Sequence, residues 1–412
     1  MSNIYTGIEL GTNSIKVVVL EKYNDTYHTL ASVSSESSGI KNGQVEDMKP
    51  AITSVKKALK QVNEMLGIKI TKVVVAVPPT NCKMDIVVGS CDIIDYNEIT
   101  GEDISNVLND ALKGQDFSEN ELITAMPISF KVDNEENIKD PKGMRGSCLE
   151  TKVVISTIPK ESLYRILEVL KLSGVEAVDV AFTSTGDYYS IKNPKMDVVV
   201  GAIINIGETS TNVSIFNKGI QIKNSLFPIG SKNVDRDISY IFKIKPSDSR
   251  KLKENFAVSM SSYADNNDVI DVKISNNEKT EITQVGVSKV VEARLREILK
   301  LAKNEIKNLT NREIRYIIIT GGLSELAGFS YLVEDEFGAV ARVCNISTMG
   351  IRHNKYSSAL GVVKYFDDKL TLRGKSYNML NNEDMNNLMS SQPKMLNSEN
   401  IIGKVFGHFF DN

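Results

Sequence analysis

Across 412 residues there are only four cysteines and three histidines, and neither set is arranged for metal or redox chemistry. Cys82, Cys91, Cys148 and Cys344 fall at no metal-ligand spacing, and His28, His353 and His408 stand isolated, which predicts surface or packing roles. No structural metal site is expected. The sequence also lacks any run near the about 20 apolar residues needed to cross a bilayer, so membrane contact is expected to be peripheral. A formal net charge of -3, with both signs interspersed and no Lys/Arg run, leaves no electrostatic footprint for nucleic acid. The chain enters its first strand without a secretory leader, which predicts reducing cytosol and buried, inert thiols.

What is present is a duplication. Tyr5 to Val33 and Val199 to Phe227 repeat one order: apolar strand, glycine-centred turn, apolar strand, short turn, strand. The first turn reads G-I-E-L-G-T-N-S-I-K (Gly7 to Lys16) and the second I-I-N-I-G-E-T-S-T-N (Ile203 to Asn212), with Glu9 and Asn205 in equivalent places. A phosphate needs several N–H donors converging at short range, and glycine turns bring bare backbone close enough to supply them. Gly11 and Gly207 sit where that is required; Thr12, Asn13 and Ser14 add hydroxyl and amide donors, and Lys16 adds a charge if it points inward. One such hairpin is equally an ordinary tight turn. Two of them, followed by I-I-I-T-G-G-L-S (Ile317 to Ser324), in which Gly321, Gly322 and Leu323 offer backbone to a nucleoside, point to a nucleotide clamped between two half-molecules.

Around the hairpins the patterning alternates between sheet and helix. Ile52, Val55, Leu59, Val62 and Leu66 line one face of a helix predicted over Met48 to Leu66, and strand Lys72 to Val77 is ended by Pro78-Pro79. A small α+β insert is expected from Cys82 to Pro159, its helix opened by a capping box at Thr100-Gly-Glu-Asp103. A second insert, Ser231 to Leu309, ends in the longest helix, from about Val285, with Val287, Val291, Ile298, Leu299, Ala302 and Ile306 on one side. The expected organisation is one subdomain from 1–81, 160–197 and 358–366, its insert 82–159, a second subdomain from 198–230 and 310–357, and its insert 231–309. Residues 367–400, rich in Asn, Ser, Met and charge, are expected to be a flexible linker. In 401–412, Ile401, Ile402, Val405, Phe406, Phe409 and Phe410 form one helical stripe, as in a helix that lies in a membrane interface.

With its two phosphate turns and adenosine turn, the chain resembles the actin, Hsp70 and sugar-kinase superfamily. G-I-K-N-G-Q-V-E-D (Gly39 to Asp47), P-I-S-F-K-V-D (Pro127 to Asp133), I-K-D-P-K-G-M-R-G (Ile138 to Gly146), F-P-I-G (Phe227 to Gly230) and K-Y-S-S-A-L-G (Lys355 to Gly361) narrow the likeness to the FtsA family of bacterial cell-division proteins. The resemblance implies an α/β, actin-like, duplicated ribonuclease-H-like fold with two inserted subdomains and a C-terminal amphipathic helix. It implies ATP with Mg²⁺, the phosphates held by Gly11, Thr12, Asn13, Ser14, Lys16, Gly207, Glu208, Thr209 and Ser210, the adenosine by Gly321, Gly322 and Leu323, and Glu9 and Asn205 near the metal. It further implies self-association into filaments, docking of the FtsZ C-terminal peptide on 231–309, recruitment of later division proteins through 82–159, and attachment to the cytoplasmic face of the membrane at the division site. The chain departs from the family where chemistry would occur. The superfamily commonly carries aspartate at both copy-equivalent positions and G-G-G-T in the second turn; here stand Glu9, Asn205 and Gly207-Glu208-Thr209-Ser210-Thr211. Hydrated Mg²⁺ favours carboxylate partners and attacking water must be positioned. Asn205 cannot take a proton, so ATP binding with slow or absent hydrolysis is expected and no catalytic residue is assigned. A small-molecule kinase, or an actin-like adaptor of pilus assembly or plasmid partition, are the alternatives on the same fold.

Overall fold

A computed structural model describes residues 3–273, 279–372 and 375–390. Two five-stranded sheets carry the molecule, and they share one topology. In the first, the order is Glu176–Phe182, Lys72–Val77, Asn3–Leu10, Ser14–Tyr23, Thr26–Glu36; in the second it is Ala341–Val343, Tyr316–Thr320, Val200–Ile206, Thr211–Asn217, Ile220–Phe227. Each is an antiparallel three-stranded meander extended by two parallel strands. The duplication read in the hairpins therefore extends through both sheets, which is the actin-like architecture.

Parallel strands need crossover helices, which cover the faces of the sheet. On one face of the first sheet Ile4, Ile8 and Val75 pack with Val55 and Leu59 of helix Met48–Leu66 and with Ile166 and Leu170 of helix Lys160–Leu172. On the other, Tyr5, Val18 and Val74 meet Ala359, Leu360 and Val363 of helix Ser357–Leu372. The second sheet repeats this arrangement. Ile204 and Ile319 pack with Leu295 and Ile298 of helix Gln284–Leu309, while Ile203, Phe216 and Ile318 meet Tyr188 of helix Thr183–Ile191.

Those last two helices exchange halves, because Thr183–Ile191 follows the last strand of the first sheet but covers the second, and Ser357–Leu372 does the reverse. They cross backbone to backbone. A Cβ on Gly361 would lie 1.7 Å from the Gly186 carbonyl oxygen, and one on Gly186 would lie 2.4 Å from that of Ser358. The joint between the halves thus depends on two glycines. Residues 183–191, expected within the first subdomain, are shared between both.

The insert over 82–159 is a separate four-stranded sheet, ordered Lys83–Asp92, Cys148–Pro159, Asn120–Val132, Glu135–Ile138. Helix Gly101–Leu112 packs on it, and the capping box at its start is complete: Asp103 N–H donates to Thr100 Oγ1, and Thr100 N–H to Asp103 Oδ2. Its own core includes Ile93, Ile99, Val107, Phe130 and Leu149.

The flexible linker expected over 367–400 is corrected over its described part. Helix Ser357–Leu372 runs past Phe366, and Asp367 is buried where it accepts from Tyr5 Oη at 3.0 Å and from Tyr27 Oη and pairs with Lys22 Nζ at 2.9 Å. The chain then straps back along the first strand: Ile4 N–H donates to Asn378 Oδ1, Met379 N–H to Ile4 O, and Leu380 and Leu388 join the first core. Helix Asn382–Ser390 ends the described chain. A polar composition concealed the strap because a few apolar anchors and one asparagine side chain suffice to dock it. The thiols also differ from expectation. Cys344 is buried but Cys82, Cys91 and Cys148 are only partly so, although burial pushes both Cys82 and Cys344 up to about 12.

Candidate functional site

The two glycine turns superpose in register as well as in sequence. In the first hairpin Leu10 faces Ile15 and Glu9 faces Lys16; in the second Ile206 faces Thr211 and Asn205 faces Asn212. Each turn is closed by the same bond, from Gly11 N–H to Ser14 O at 3.1 Å and from Gly207 N–H to Ser210 O at 2.9 Å. A Cβ on Gly11 would approach Ser14 O to 2.8 Å and Lys16 Nζ to 3.0 Å, so the first turn is held open by the absence of a side chain. Both turns open into one cavity of about 580 Å³ between the halves, a size suited to a small organic ligand.

Every residue expected at the phosphates, the adenosine and the metal lines that cavity: Glu9, Gly11, Thr12, Asn13, Ser14, Lys16, Asn205, Gly207, Glu208, Thr209, Ser210, Gly321, Gly322 and Leu323. Gly321 has φ 95° and ψ 171°, and a Cβ there would lie 2.3 Å from Ile206 O, so glycine is required. Gly322, by contrast, faces open space and begins a short 3₁₀ turn, Gly322–Glu325. Ile401, Ile402, Val405, Phe406, Phe409 and Phe410 lie outside the described residues.

Inside the cavity several of the charges are already paired. Lys16 does point inward, and its Nζ lies 2.9 Å from Glu9 Oε1 with both side chains mostly shielded. Asn205 Nδ2 donates to Asp187 Oδ2 at 2.6 Å. Asp187, on the crossing helix, also accepts from Ser357 Oγ at 2.6 Å and Ser358 Oγ at 2.8 Å. Burial pushes its carboxyl up to about 6, against the pull of those hydroxyl and amide donors. The glycines of the crossing therefore sit beside a buried carboxylate that joins the strand bearing Asn205 to the crossing helices.

Sequence reasoning missed Asp187, Arg250, Lys253, Glu325 and His353. Arg250 and Lys253 lie on helix Pro246–Asn255 of the second insert and both line the cavity. Buried Lys253 reaches Asp235 Oδ1 at 2.7 Å and donates to Ser231 Oγ at 2.7 Å. His353, expected to be an isolated surface or packing residue, stands at the rim with Nδ1 2.5 Å from Glu325 Oε2, and Glu325 also accepts from the Asn354 N–H. Ser358 had a signal, because it falls within the K-Y-S-S-A-L-G segment; the helix carrying Arg250 offered none beyond its charge. Among the described residues no group of three or more His, Cys, Asp or Glu is arranged to hold a metal ion, and no helix is long and apolar enough to cross a membrane.

Comparison with known proteins agrees with this fold. Residues 202–361 match the family model described as cell division protein FtsA, and residues 81–157 match the SHS2 domain inserted in FtsA, so the two models together span more than half the chain. Cell division protein FtsA of Streptococcus pneumoniae is 28% identical over 364 residues, covering 88% of this chain and 79% of that protein. The Bacillus subtilis protein of the same name is 25% identical over 379 residues, covering 91% and 86%. Among solved structures, a PilM-PilN type IV pilus biogenesis complex aligns with TM-score 0.61 at 15% identity, over 90% of this chain and 99% of that one. MreB5 of Spiroplasma citri bound to ADP aligns with TM-score 0.56 at 12% identity, over 90% and 98%.

Proposed function

The chain belongs to the FtsA family of cell-division proteins, and from that premise we propose that it is an actin-like adaptor that holds an adenine nucleotide between its two halves. The observation that carries this reading is the convergence of both glycine turns and the Gly321-Gly322 turn on one cavity. The phosphates would lie against Gly11, Thr12, Asn13, Ser14 and Lys16 on one side and Gly207, Glu208, Thr209 and Ser210 on the other, with adenosine at Gly321, Gly322 and Leu323.

These residues fit a nucleotide, because the Gly11 turn is a cradle that a Cβ would obstruct. They fit Mg²⁺ only as an ion held largely by phosphate and water, with Glu9 and Asn205 nearby, since Mg²⁺ commonly keeps most of its waters and takes one or two carboxylates. The metal would neutralise phosphate charge. Asn205 supplies an acceptor oxygen but no base, and Glu9 is engaged by Lys16. Hydrolysis is therefore slow or absent, and the nucleotide serves as a brace between the halves.

In this reading the protein assembles into filaments at the cytoplasmic face of the membrane, binds the FtsZ C-terminal peptide through 231–309 and later division proteins through 82–159. Residues 401–412 provide the lipid contact, strengthened by avidity in the filament. Deleting 401–412 should leave a folded protein that no longer floats with liposomes; undiminished flotation sinks the tail assignment. Co-sedimentation with FtsZ, with and without its C-terminal peptide, tests the partner directly. Pelleting that does not depend on the peptide contradicts docking through 231–309.

A further inference from the structure

Arg250 spans the mouth of the cleft. Its Nη1 donates to Asn13 Oδ1 at 2.8 Å in the first turn, and its Nη2 donates to Glu208 Oε1 in the second. The Nε lies 3.4 Å from Asp235 Oδ2, whose other oxygen is held by Lys253. One guanidinium thus ties together the two turns that define the site, and it does so from a third element, the second insert. The carboxylate of Glu208 is directed inward, its side chain only 14% exposed, rather than out to solvent.

A guanidinium binds carboxylate and phosphate oxygens through the same planar fork of N–H donors. Glu208 therefore presents to Arg250 the kind of group that a terminal phosphate would present, from within the turn where phosphate is to lie. We propose that the Glu208 carboxylate is a built-in stand-in for a terminal phosphate: with Arg250 it closes the cleft without ligand, and it makes the site select a nucleoside diphosphate over the triphosphate. This rests on the reading of the cleft as a nucleotide site and specifies which nucleotide it prefers.

The selection follows from charge. A diphosphate leaves the Glu208–Arg250 pair in place, whereas a triphosphate must either displace the carboxylate from its guanidinium or lie beside it unpaired, and like charges brought close in a shielded site repel. Lys16 and Lys253 offer no spare cation to relieve this, because Glu9 and Asp235 already hold them, and Lys355, which also lines the cavity, lies over the Tyr356 ring. Asn13, a neutral acceptor, completes the bridge to the first half without adding charge.

The test uses full-length wild type, Glu208→Gln, Glu208→Ala and Arg250→Ala, titrated with ADP and with ATP in one magnesium buffer, alongside hydrogen–deuterium exchange without nucleotide. Wild type should bind ADP about tenfold more tightly than ATP, and both Glu208 variants should bring the two within about threefold, mainly by a gain in ATP affinity. Arg250→Ala should raise exchange in both turns together by about tenfold, since the bridge couples them. Equal or tighter ATP binding by wild type, or an unchanged ratio in Glu208→Gln, overturns the selection. Exchange that is unchanged, or raised in one turn only, overturns the latch. If neither nucleotide saturates wild type, the nucleotide reading and the selection drawn from it both fall, while the exchange result still decides the latch.

Discussion

In the first half of the molecule the three-stranded meander is followed by a short hairpin, Ile40–Lys41 with Gln44–Val45, and one helix, Met48–Leu66, and the next strand runs into Pro78-Pro79; in the second the same meander is followed by the whole insert 231–309, and the corresponding strand runs into Gly321-Gly322. Glu9 faces Lys16 in one hairpin, and Asn205 faces Asn212 in the other. A shared backbone therefore carries two different chemistries. The duplicated sheets supply the two walls of the cleft, with paired turns at its mouth and crossed helices at the joint between the halves. Divergence between the copies sets what lines the cleft: one side keeps an ion pair, the other has an amide in the place of a carboxylate and brings in Glu208 and Arg250.

The comparison breaks most severely where the halves join. Gly361→Ala would drive a Cβ into the Gly186 carbonyl, and overpacking of that kind should cost about 3 kcal/mol in denaturant unfolding. Gly322→Ala, where a Cβ meets nothing within 4 Å, should cost less than about 1 kcal/mol. A similar loss in both would show that the crossing is looser than described. Leu388→Ala, removing a fully buried side chain of the strap on the first sheet, should cost about 2 kcal/mol. Its readout is proteolysis beginning in 375–390 before the rest of the chain; unaltered cleavage would mean that the strap is not docked.

The next test makes the copies more alike. Asn205→Asp replaces the amide that donates to buried Asp187 and sets two carboxylates together, at a stability cost of about 2 kcal/mol. Glu9→Gln removes only a partly shielded pair with Lys16 and should cost less than about 1 kcal/mol. If the two substitutions cost the same, Asp187 does not distinguish the halves. The Asn205→Asp protein that remains folded should release phosphate about tenfold faster than wild type, a change of about 1.4 kcal/mol in the barrier.

Much of this was legible in the residues. Gly11, Gly207 and Gly321 marked the turns, and the apolar run holding Ile203, Ile204 and Ile206 placed a strand that proved buried on both faces. The helix over Met48–Leu66 and the capping box at Thr100 were written in local pattern. The crossing helix was not, because T-S-T-G-D-Y-Y-S-I has no amphipathic stripe: it is buried on several sides at once. Arg250 and Asp187 were invisible for a related reason. Four of their partners lie 237, 42, 170 and 171 positions away in sequence, and nothing local records such contacts. The strap was misread as linker because composition reports average polarity, whereas docking needed only Asn378, Met379, Leu380 and Leu388.

The central claim, that this clamp holds nucleotide without working as a fast catalyst, is met most directly by measuring saturable ATP binding and phosphate release on one preparation of the full chain. The account predicts saturable, magnesium-supported binding with release at or below about 0.01 s⁻¹, far under the 1–100 s⁻¹ typical of kinases. Release at about 1 s⁻¹ or faster, abolished by Gly207→Val, or the absence of saturable binding, would contradict it.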